Sequence, residues 1–324
     1  MKKNLSILIV LMGILLGCSN NSDVNADELQ EVTVMLDYTP NTNHTGIYVA
    51  DKLGYYAEQG LKIKILEPGE GEVIPLVANG KIDFAISYED TLASAVDKGI
   101  DIKSLATITN HSMVGAISRQ DRNLADPSKW KGATYCGWGT PIEEAYIKEM
   151  ARQNGVDPQT MKFTTSAQTF LASSNECDIF WGYEAWENAQ ATNDGIAYDY
   201  TPALEIADYY PAIIITSSNL IEQDNELVTK FMQATKKGYE YAAVNAQEAA
   251  DIFMEANPEY DKTLIETSQK IISPMYVNDN QEFGYMDETV WTDFTNFMID
   301  SGIISETSKT AINQAYTNKF LKGE

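Results

Sequence analysis

The sequence of residues 32–68 is VTVMLDYTPNTNHTGIYVADKLGYYAEQGLKIKILEP. It contains two short apolar runs, 32–38 and 62–68, on either side of a stretch, 44–59, whose apolar residues recur at helical spacing. A strand, a helix and a second strand in this order are typical of a βαβ unit, in which the two strands pair in parallel. The stretch therefore predicts an α/β fold built on parallel sheets.

The same alternation continues along the chain, with helices predicted over about 141–153 and near Gln168, and mostly helical patterns beyond residue 218. We expect two α/β lobes of about four or five strands each, with the chain crossing out near residue 116 and back near residue 212. The expected lobes are 31–116 together with 213–324, and 117–212. The further strand-like runs are IDFAIS (82–87), IKSLATIT (102–109), MVGAISR (113–119), GATYCGW (132–138), MKFTTS (161–166), DIFWGY (178–183) and YPAIIITSS (210–218).

The N-terminus has the pattern of a bacterial lipoprotein signal. Two lysines precede an apolar run from Leu5 to Leu16, which is too short to span a bilayer comfortably. The run ends in Leu-Leu-Gly-Cys and is followed by the polar stretch SNNSDVNADE. We predict a signal peptide over 1–17, lipidation of Cys18 and a polar tether over 18–30; an uncleaved anchor or an ordinary secretory signal is the alternative.

Charge and residue counts exclude several classes of function. The formal net charge is −24, with 47 acidic and 23 basic residues. Such a negative field repels phosphate backbones, so we expect no nucleic-acid partner. The chain has only 2 histidines and lacks a Cys-x-x-Cys or His-x-x-x-His pattern, so no metal site is predicted.

Two cysteines remain after Cys18. Cys136 lies at the end of one predicted strand and Cys177 just before another. In parallel strands of roughly four residues they would be on the order of 13 Å apart, whereas a disulfide needs Cα atoms within about 7 Å. We therefore expect two free, mostly buried thiols.

Polar and aromatic residues follow the predicted strands. Ligands of open α/β sheets bind beyond the carboxyl ends of the strands, which here are segments 37–44, 87–90, 110–111, 137–140 and 181–186. All five should face one cleft between the lobes. The candidate ligand-binding residues at or just beyond these ends are Asp37, Tyr38, Asn43, His44, Tyr88, Glu89, His111, Trp138, Gly139, Thr140, Glu143, Trp181, Tyr183, Glu184 and Trp186.

Several of these residues have a plain structural explanation as well. Asp37 could accept hydrogen bonds from an amino-heterocycle, with Tyr38 as an aromatic wall beside it. The alternative is that Asp37 caps a loop and Tyr38 packs against the protein. Asn43 is expected to cap the following helix. His44 and His111 stay open between local hydrogen bonding and ligand contact. Asp90 is expected to be an N-cap, which leaves Tyr88 and Glu89 as the contacts.

The loop YCGWGTPIEEA (135–145) has the glycines and helix start of an anion site, but it carries a tryptophan. Trp138 is expected to stack on a flat ring. Glu143 closes a capping box with Thr140 or contacts ligand, and Glu144 pairs with Lys148 on the surface. In FWGYEAWE (180–187), Phe180 is expected in the core, and the other aromatic residues there either line the cleft or fill the core.

The motifs LDYTPNTNHTGIYVADKLGYYAEQGL, EPGEGEVIPLVANGKIDFAISYEDTL and YCGWGTPIEEA resemble the solute-binding lipoproteins of ABC importers related to the thiamin-pyrimidine synthase family. The resemblance covers about Glu31 to Leu321. It implies a type II periplasmic-binding-protein fold with a two-strand hinge and the ligand cleft between the lobes. It also implies a monomer that captures a thiamin pyrimidine precursor outside the cytoplasm, works with an ABC permease and its ATPase, and is held at the membrane by its lipid. Related members carry riboflavin and other heterocycles.

The fungal branch of this family includes an enzyme that builds the pyrimidine from pyridoxal phosphate and its own histidine. Where that enzyme carries its cofactor lysine, this sequence has Ser87, and the enzyme's cysteine-rich run is absent. A Schiff base requires an amine, so we expect neither an enzyme nor a cofactor. Sulfonate or other anion binding, known in neighbouring branches, would need basic residues at the strand ends; only Arg119 and Arg122 lie nearby. FWGYEAWE departs from the tyrosine pair followed by Gly-Trp of related sequences, which leaves the cargo open.

Overall fold

The computed structural model describes residues 29–69, 73–165 and 175–322. These residues form two five-stranded sheets of the same mixed design, with three neighbouring parallel strands, a fourth strand antiparallel to them and a fifth strand antiparallel to the fourth. The first sheet has the order β2-β1-β3-β10-β4, with β1 Gln30–Met35, β2 Leu61–Leu66, β3 Phe84–Ser87, β4 Ile102–Thr107 and β10 Ile213–Ser217. The second has the order β7-β6-β8-β5-β9, with β5 Val114–Arg119, β6 Thr134–Gly137, β7 Lys162–Thr165, β8 Ile179–Tyr183 and β9 Tyr198–Pro202.

Helices cover both sheets, and the long C-terminal ones pack mainly on the first. None of the helices in the described ranges is long and apolar enough to cross a membrane. The α-helices are α1 Thr45–Lys52, α2 Tyr55–Glu58, α3 Val73–Ala78, α4 Glu89–Asp97, α5 Pro141–Gln153, α6 Glu184–Asn193, α7 Ser218–Gln223, α8 Asn225–Val244, α9 Ala246–Ala256, α10 Lys262–Ile272, α11 Glu288–Asp300 and α12 Lys309–Asn313. Short 3₁₀ turns cover Thr42–His44, Gln120–Arg122, Pro127–Lys129, Pro158–Thr160, Ser273–Tyr276, Glu306–Ser308 and Lys319–Leu321.

Most predicted elements are confirmed, with two differences. The helix expected over 44–59 is divided into a 3₁₀ turn, α1 and α2, because Gly54 adopts a left-handed conformation with φ of 79°. Strand β9 was missed because it is a half-buried edge strand without an apolar run. The helix expected near Gln168, the signal peptide, Cys18 and most of the tether lie outside the described residues.

The chain passes between the sheets twice, over residues 108–113 and 203–212. The outward crossing expected near 116 falls inside β5, which pairs with β8 and β9 of the second sheet, so the chain crosses earlier. The return crossing leads into β10, which begins at Ile213. We call the first sheet with its helices the first lobe, and the second sheet with its helices the second lobe.

The core of the first lobe is built on aromatic stacking under α8. Phe231 stacks on Phe84 with ring centroids 3.8 Å apart and on Tyr56 at 5.6 Å. Helices α1 and α8 meet at two glycines, because a Cβ on Gly46 would overlap the ring of Tyr239 and one on Gly238 would overlap the backbone of α1. The glycine of the NHTG motif is thus required by packing and not by a ligand.

The expectation of free thiols is wrong, because a disulfide joins Cys136 and Cys177 with Cα atoms 5.9 Å apart. The sequence estimate placed the two cysteines along the length of neighbouring strands. Instead, β8 starts at Ile179, and the turn before it folds back onto the sheet, where Asp178 and Thr134 exchange hydrogen bonds. Both cysteines pack in one small cluster with Ile117 and other apolar side chains.

Candidate functional site

A cavity of about 300 Å³ lies between the two lobes, and we call it the cleft cavity. Its walls come from strand ends and helix starts of both lobes, as the topology requires for this class of sheet. The first lobe contributes Asp37, Tyr38, Asn41, Thr42, Asn43, Tyr88, Asp90 and Thr91. The second lobe contributes Trp138, Thr140, Ile142, Glu143, Trp181, Gly182, Tyr183, Ala185, Trp186 and Glu187, and Tyr209 enters from the return crossing.

Asp37 is a cavity carboxylate that a buried histidine holds in place. The Nε2 atom of His44 lies 2.6 Å from Asp37 Oδ1, and the side chains are 0% and 4% exposed. The backbone N–H of Asn41 donates to His44 Nδ1 at 3.1 Å, so Nε2 carries the proton and donates to the carboxylate. Burial is the largest single influence and raises the pKa of Asp37, but the interactions with His44, the hydrogen bond with Tyr88 and a backbone hydrogen bond together outweigh it, so the pKa lies below its usual value. Asp37 is therefore held as an anion.

His44 supports the site from behind and does not line the cleft cavity. The expected cap at Asn43 is corrected to Asn41, whose side chain accepts from the N–H of Asn43 at 2.9 Å. Asn43 is thereby left to line the cavity. The PNTNH motif thus combines a helix start with an oriented histidine.

Glu143 organises the tryptophan loop of the second lobe. Its Oε2 accepts from the hydroxyl of Tyr135 at 3.0 Å and from the N–H of Trp138 at 2.8 Å. Its Oε1 accepts from the hydroxyl of Thr140 at 2.7 Å. Thr140 is the N-cap of α5, but its side chain makes no capping bond to the helix backbone, so the expected capping box is replaced by this loop contact. Burial raises the pKa of Glu143 despite these donors.

The residues around Glu143 have structural roles that follow from their positions. Gly137 is required there, because a Cβ would overlap Glu143 Oε2 and the hydroxyl of Tyr135. Gly139 adopts φ of 85° to turn the chain and does not line the cavity. Glu144 pairs with Lys148 at 2.6 Å on the surface, as expected.

Two exposed rings form the mouth of the cleft cavity. Tyr38 and Trp138 are 45% and 46% exposed, and both line the cavity from opposite lobes. Their ring centroids are 6.3 Å apart in an edge-to-face arrangement. Large apolar side chains at this exposure on a concave surface are typical of a ligand site.

The end of β8 supplies a second group of aromatic side chains. Trp181 is buried and packs on Tyr146 at 5.5 Å, so it belongs to both the core and the cavity wall. Tyr183 donates its hydroxyl to the carbonyl of Pro211 at 3.0 Å and so contacts the return crossing. Trp186 lines the cavity from α6. Glu184 is outside the cavity lining; its N–H donates to the carbonyl of Met113.

Glu187 and Asp90 are cavity carboxyls that were not among the predicted contacts. Glu187 Oε2 accepts from the N–H of Tyr183 at 2.6 Å, and burial raises the pKa of Glu187 to about 7. Burial likewise raises the pKa of Asp90 to about 6. Asp90 had been expected to cap a helix, but α4 already begins at Glu89 with Tyr88 as the N-cap residue. A sequence signal existed, since both residues lie in the first turn of a helix that follows a cleft strand.

Glu89 and His111 lie outside the cavity and tie the crossings instead. Glu89 donates its N–H to the carbonyl of Tyr210 at 3.2 Å and accepts from the N–H of Tyr210 at 2.7 Å. Burial holds the pKa of Glu89 well above its usual value. His111 Nδ1 lies 2.6 Å from Asp208 Oδ2, and Asp208 Oδ1 accepts from the N–H of Ser112. These bonds join the two crossings to each other and to α4.

The chemistry of the cleft cavity is acidic and aromatic. Four carboxyl groups face it, from Asp37, Asp90, Glu143 and Glu187, and no lysine, arginine or histidine is found among its lining residues in the described ranges. Among those same ranges, no three His, Cys, Asp or Glu side chains are grouped so as to hold a metal ion. Such a cavity can stack a flat ring and accept hydrogen bonds from its N–H groups.

Several relatives each cover most of the chain. A formylaminopyrimidine-binding protein of Halalkalibacterium halodurans is 27% identical over 308 residues, which are 91% of this chain and 93% of that protein. The riboflavin-binding protein RibY of Chloroflexus aurantiacus is 26% identical over 310 residues, covering 91% and 87%. A 4-amino-5-hydroxymethyl-2-methylpyrimidine phosphate synthase of Legionella pneumophila is 25% identical over 304 residues, covering 90% and 92%.

The fold is shared with solved periplasmic binding proteins. The periplasmic aliphatic sulphonate binding protein SsuA of Escherichia coli matches with a TM-score of 0.66 at 10% identity, covering 91% of this chain and 94% of that one. This similarity confirms the expected two-lobe α/β architecture. The family model described as NMT1/THI5 like matches residues 41–249, which is more than half of the sequence, and the chain belongs to this family.

Proposed function

We propose that this protein is the extracytoplasmic solute-binding component of an ABC importer, and that it captures a thiamin pyrimidine precursor without changing it chemically. The observation that carries the proposal is the combination of aromatic walls with four inward-facing carboxyl groups in the cleft cavity. An aminopyrimidine is flat and bears N–H donors, so it is complementary to both features. The name of the Halalkalibacterium relative supports the same class of cargo.

The carboxyls of the cavity fall into two pairs with different roles. Glu143 accepts three hydrogen bonds from the protein, and Asp37 is bound by His44. Within the described ranges, Glu187 accepts one bond from another residue, the N–H of Tyr183, and Asp90 interacts with the adjacent Thr91. Asp90 and Glu187 therefore keep acceptor capacity for the amino groups of the cargo, while Tyr38 and Trp138 cover its ring.

Delivery follows from the lobe architecture. The lobes close on the cargo about the two crossings, and the loaded form docks on a membrane permease driven by its ATPase. We propose that the protein acts as a monomer, and that lipidation of Cys18 keeps it at the outer face of the membrane. Replacing Cys18 with Ala should release the protein from membranes into the soluble fraction; a membrane-bound variant would contradict the lipid anchor.

Three alternatives fit the cavity less well. Riboflavin, the cargo named for the Chloroflexus relative, presents ring carbonyls that would face carboxylates. A sulfonate needs cationic or N–H donors, and the described lining lacks basic side chains. Synthase activity would need an amine at Ser87, but Ser87 is a buried hydroxyl within β3.

The test is titration calorimetry on the purified mature protein with formylaminopyrimidine, hydroxymethylpyrimidine, thiamin, riboflavin and an alkanesulfonate. We expect saturable binding of an aminopyrimidine, and the same compound in mass spectra of material that co-purifies. Binding of the sulfonate or riboflavin alone would reverse the cargo assignment. Incubation with pyridoxal phosphate should yield no pyrimidine product, and its appearance would overturn the non-enzymatic role.

A further inference from the structure

Tyr260 lies in the connection between α9 and α10 of the first lobe and is not part of the cavity lining. Its ring meets Trp186 of the second lobe edge to face, with centroids 6.0 Å apart and an interplanar angle of 77°. Its hydroxyl interacts with the side chain of Thr39, the residue after Tyr38. Tyr260, which lies outside the cavity, therefore contacts Trp186 of the second lobe directly and contacts the residue next to Tyr38 of the first lobe.

Trp186 is the point at which α6 of the second lobe enters the first lobe. Helix α6 packs along α10. Trp186 and Tyr260 pack together against a small apolar cluster of the first lobe around the buried side chains of Phe253 and Ile265. Since Trp186 also lines the cleft cavity, the same indole ring contacts the cargo space on one side and the opposite lobe on the other.

We propose that Tyr260 is a positioning residue whose ring holds the lobes closed around the cargo through Trp186, while its hydroxyl is bound to Thr39 within its own lobe. The proposal rests on the proposed function in that the cargo occupies the cleft cavity. When the lobes separate, the Tyr260–Trp186 contact has to break, because the two rings belong to different lobes. Closure then adds an aromatic contact to whatever the cargo itself contributes.

This role predicts an effect on dissociation. Cargo enters through the open form, which lacks the contact, so the association rate should not fall, and it should rise to the extent that the contact keeps the cargo-free protein closed. Losing an edge-to-face pair should accelerate release about three- to tenfold. Tyr260→Phe keeps the ring and loses only the hydroxyl, so its effect should be smaller than that of Tyr260→Ala.

The experiment compares Tyr260→Phe and Tyr260→Ala with Tyr285→Ala, an exposed tyrosine of the first lobe that does not line the cavity. Stopped-flow fluorescence with formylaminopyrimidine gives the two rate constants, and small-angle scattering of the cargo-free proteins gives the radius of gyration. We expect faster dissociation and a larger radius for Tyr260→Ala, and wild-type values for Tyr285→Ala. A double-mutant cycle with Trp186→Ala should show that the two losses are not additive.

Unchanged dissociation and an unchanged radius in a folded Tyr260→Ala variant would overturn the proposal. If that variant does not fold, a wild-type dissociation rate and radius in Tyr260→Leu, which keeps an apolar side chain but loses the aromatic ring, overturn it. Should the wild-type protein bind no pyrimidine at all, the proposed function fails, while the scattering comparison still decides whether Tyr260 holds the lobes together.

Discussion

Tyr38 and Trp138 meet edge to face across the mouth of the cleft cavity, 6.3 Å apart, although one belongs to the first lobe and the other to the second. Both rings line the cavity, and their planes meet at 74°. Both are nearly half exposed, so they contribute little to the folding of either lobe. A planar ligand that enters the cavity could contact the exposed faces of both rings.

Replacing Trp138 with Ala should weaken cargo binding about tenfold, because a stacking surface is lost. Unfolding free energy should change by no more than about 0.5 kcal/mol, since the side chain is exposed. Titration calorimetry and thermal melting measure the two effects. Trp138→Phe keeps a ring and should recover part of the affinity. Equal affinities for the alanine variant and the wild type would remove Trp138 from the site.

Cargo affinity should rise with pH between about 5.5 and 8. Burial raises the pKa of Asp90 to about 6 and that of Glu187 to about 7, and a protonated carboxyl is the poorer acceptor for two cargo N–H groups. Calorimetry at several pH values, in buffers of different ionisation enthalpy, should show protons released on binding near pH 6.5. Glu187→Gln should bind more weakly and flatten the profile. A flat profile in the wild-type protein would contradict this prediction.

The contribution of Glu187 to the stability of the cargo-free protein should fall as the pH rises, in contrast to the cargo affinity. Because the pKa of Glu187 is raised in the folded state from its ordinary value of 4.5 to about 7, the folded protein holds a proton there that the unfolded chain has already lost. The resulting stability is complete below pH of about 4.5 and is lost as the pH rises through about 7. Glu187→Gln keeps an acceptor for the N–H of Tyr183, so at pH 8 it should stabilise the cargo-free protein by at most about 3 kcal/mol. Denaturant titrations at pH 5 and pH 8 measure this, and a variant no more stable at pH 8 would refute it.

Strand positions were predictable from the sequence because apolar runs and helical spacing are local. These positions place Tyr38, Tyr88, Trp138 and Trp181 at the carboxyl ends of strands, and all four line the same cleft. The choice between Glu89 and Asp90 was not predictable in this way. Successive helical positions point about 100° apart, so the residue that enters the cavity depends on the first residue of the helix.

The same limit explains why Glu187 was overlooked in favour of Glu184. Helix α6 begins at Glu184, but the side chain that reaches back to the strand end is that of Glu187, at the end of the first turn. The disulfide and β9 depend on the path of the chain over the second sheet, which no local pattern records. His111 illustrates the reverse case, in which a residue of suitable chemistry near the hinge pairs with Asp208 outside the cavity.

The two histidines should respond differently to substitution. His44→Ala removes the histidine donor from the buried carboxylate of Asp37, which should cost about 1–3 kcal/mol of stability and reduce cargo affinity although His44 does not line the cavity. His111→Ala removes the contact with Asp208, and because the histidine is 56% exposed this should cost no more than about 1 kcal/mol. Chemical denaturation and calorimetry of both variants make the comparison. A larger loss of stability in His111→Ala would mean that the order is reversed.

The disulfide should stabilise the wall of the cavity as well as the second lobe. It joins Cys136, next to the loop that carries Trp138, to the turn before β8, which carries Trp181 and Tyr183. Its closed loop spans 41 positions, for which chain entropy predicts a stabilisation of about 4 kcal/mol. The Cys136→Ser, Cys177→Ser double variant should therefore melt at a lower temperature than the oxidised wild type, and it should bind cargo more weakly because β6 and β8 lose a covalent link near the site. Reduced wild-type protein should behave like the double variant. The matched control is the oxidised Glu144→Ala variant, which loses only the surface pair with Lys148 and should keep the wild-type melting temperature and affinity. If reduction changed neither melting nor affinity, the link would have no part in shaping the site.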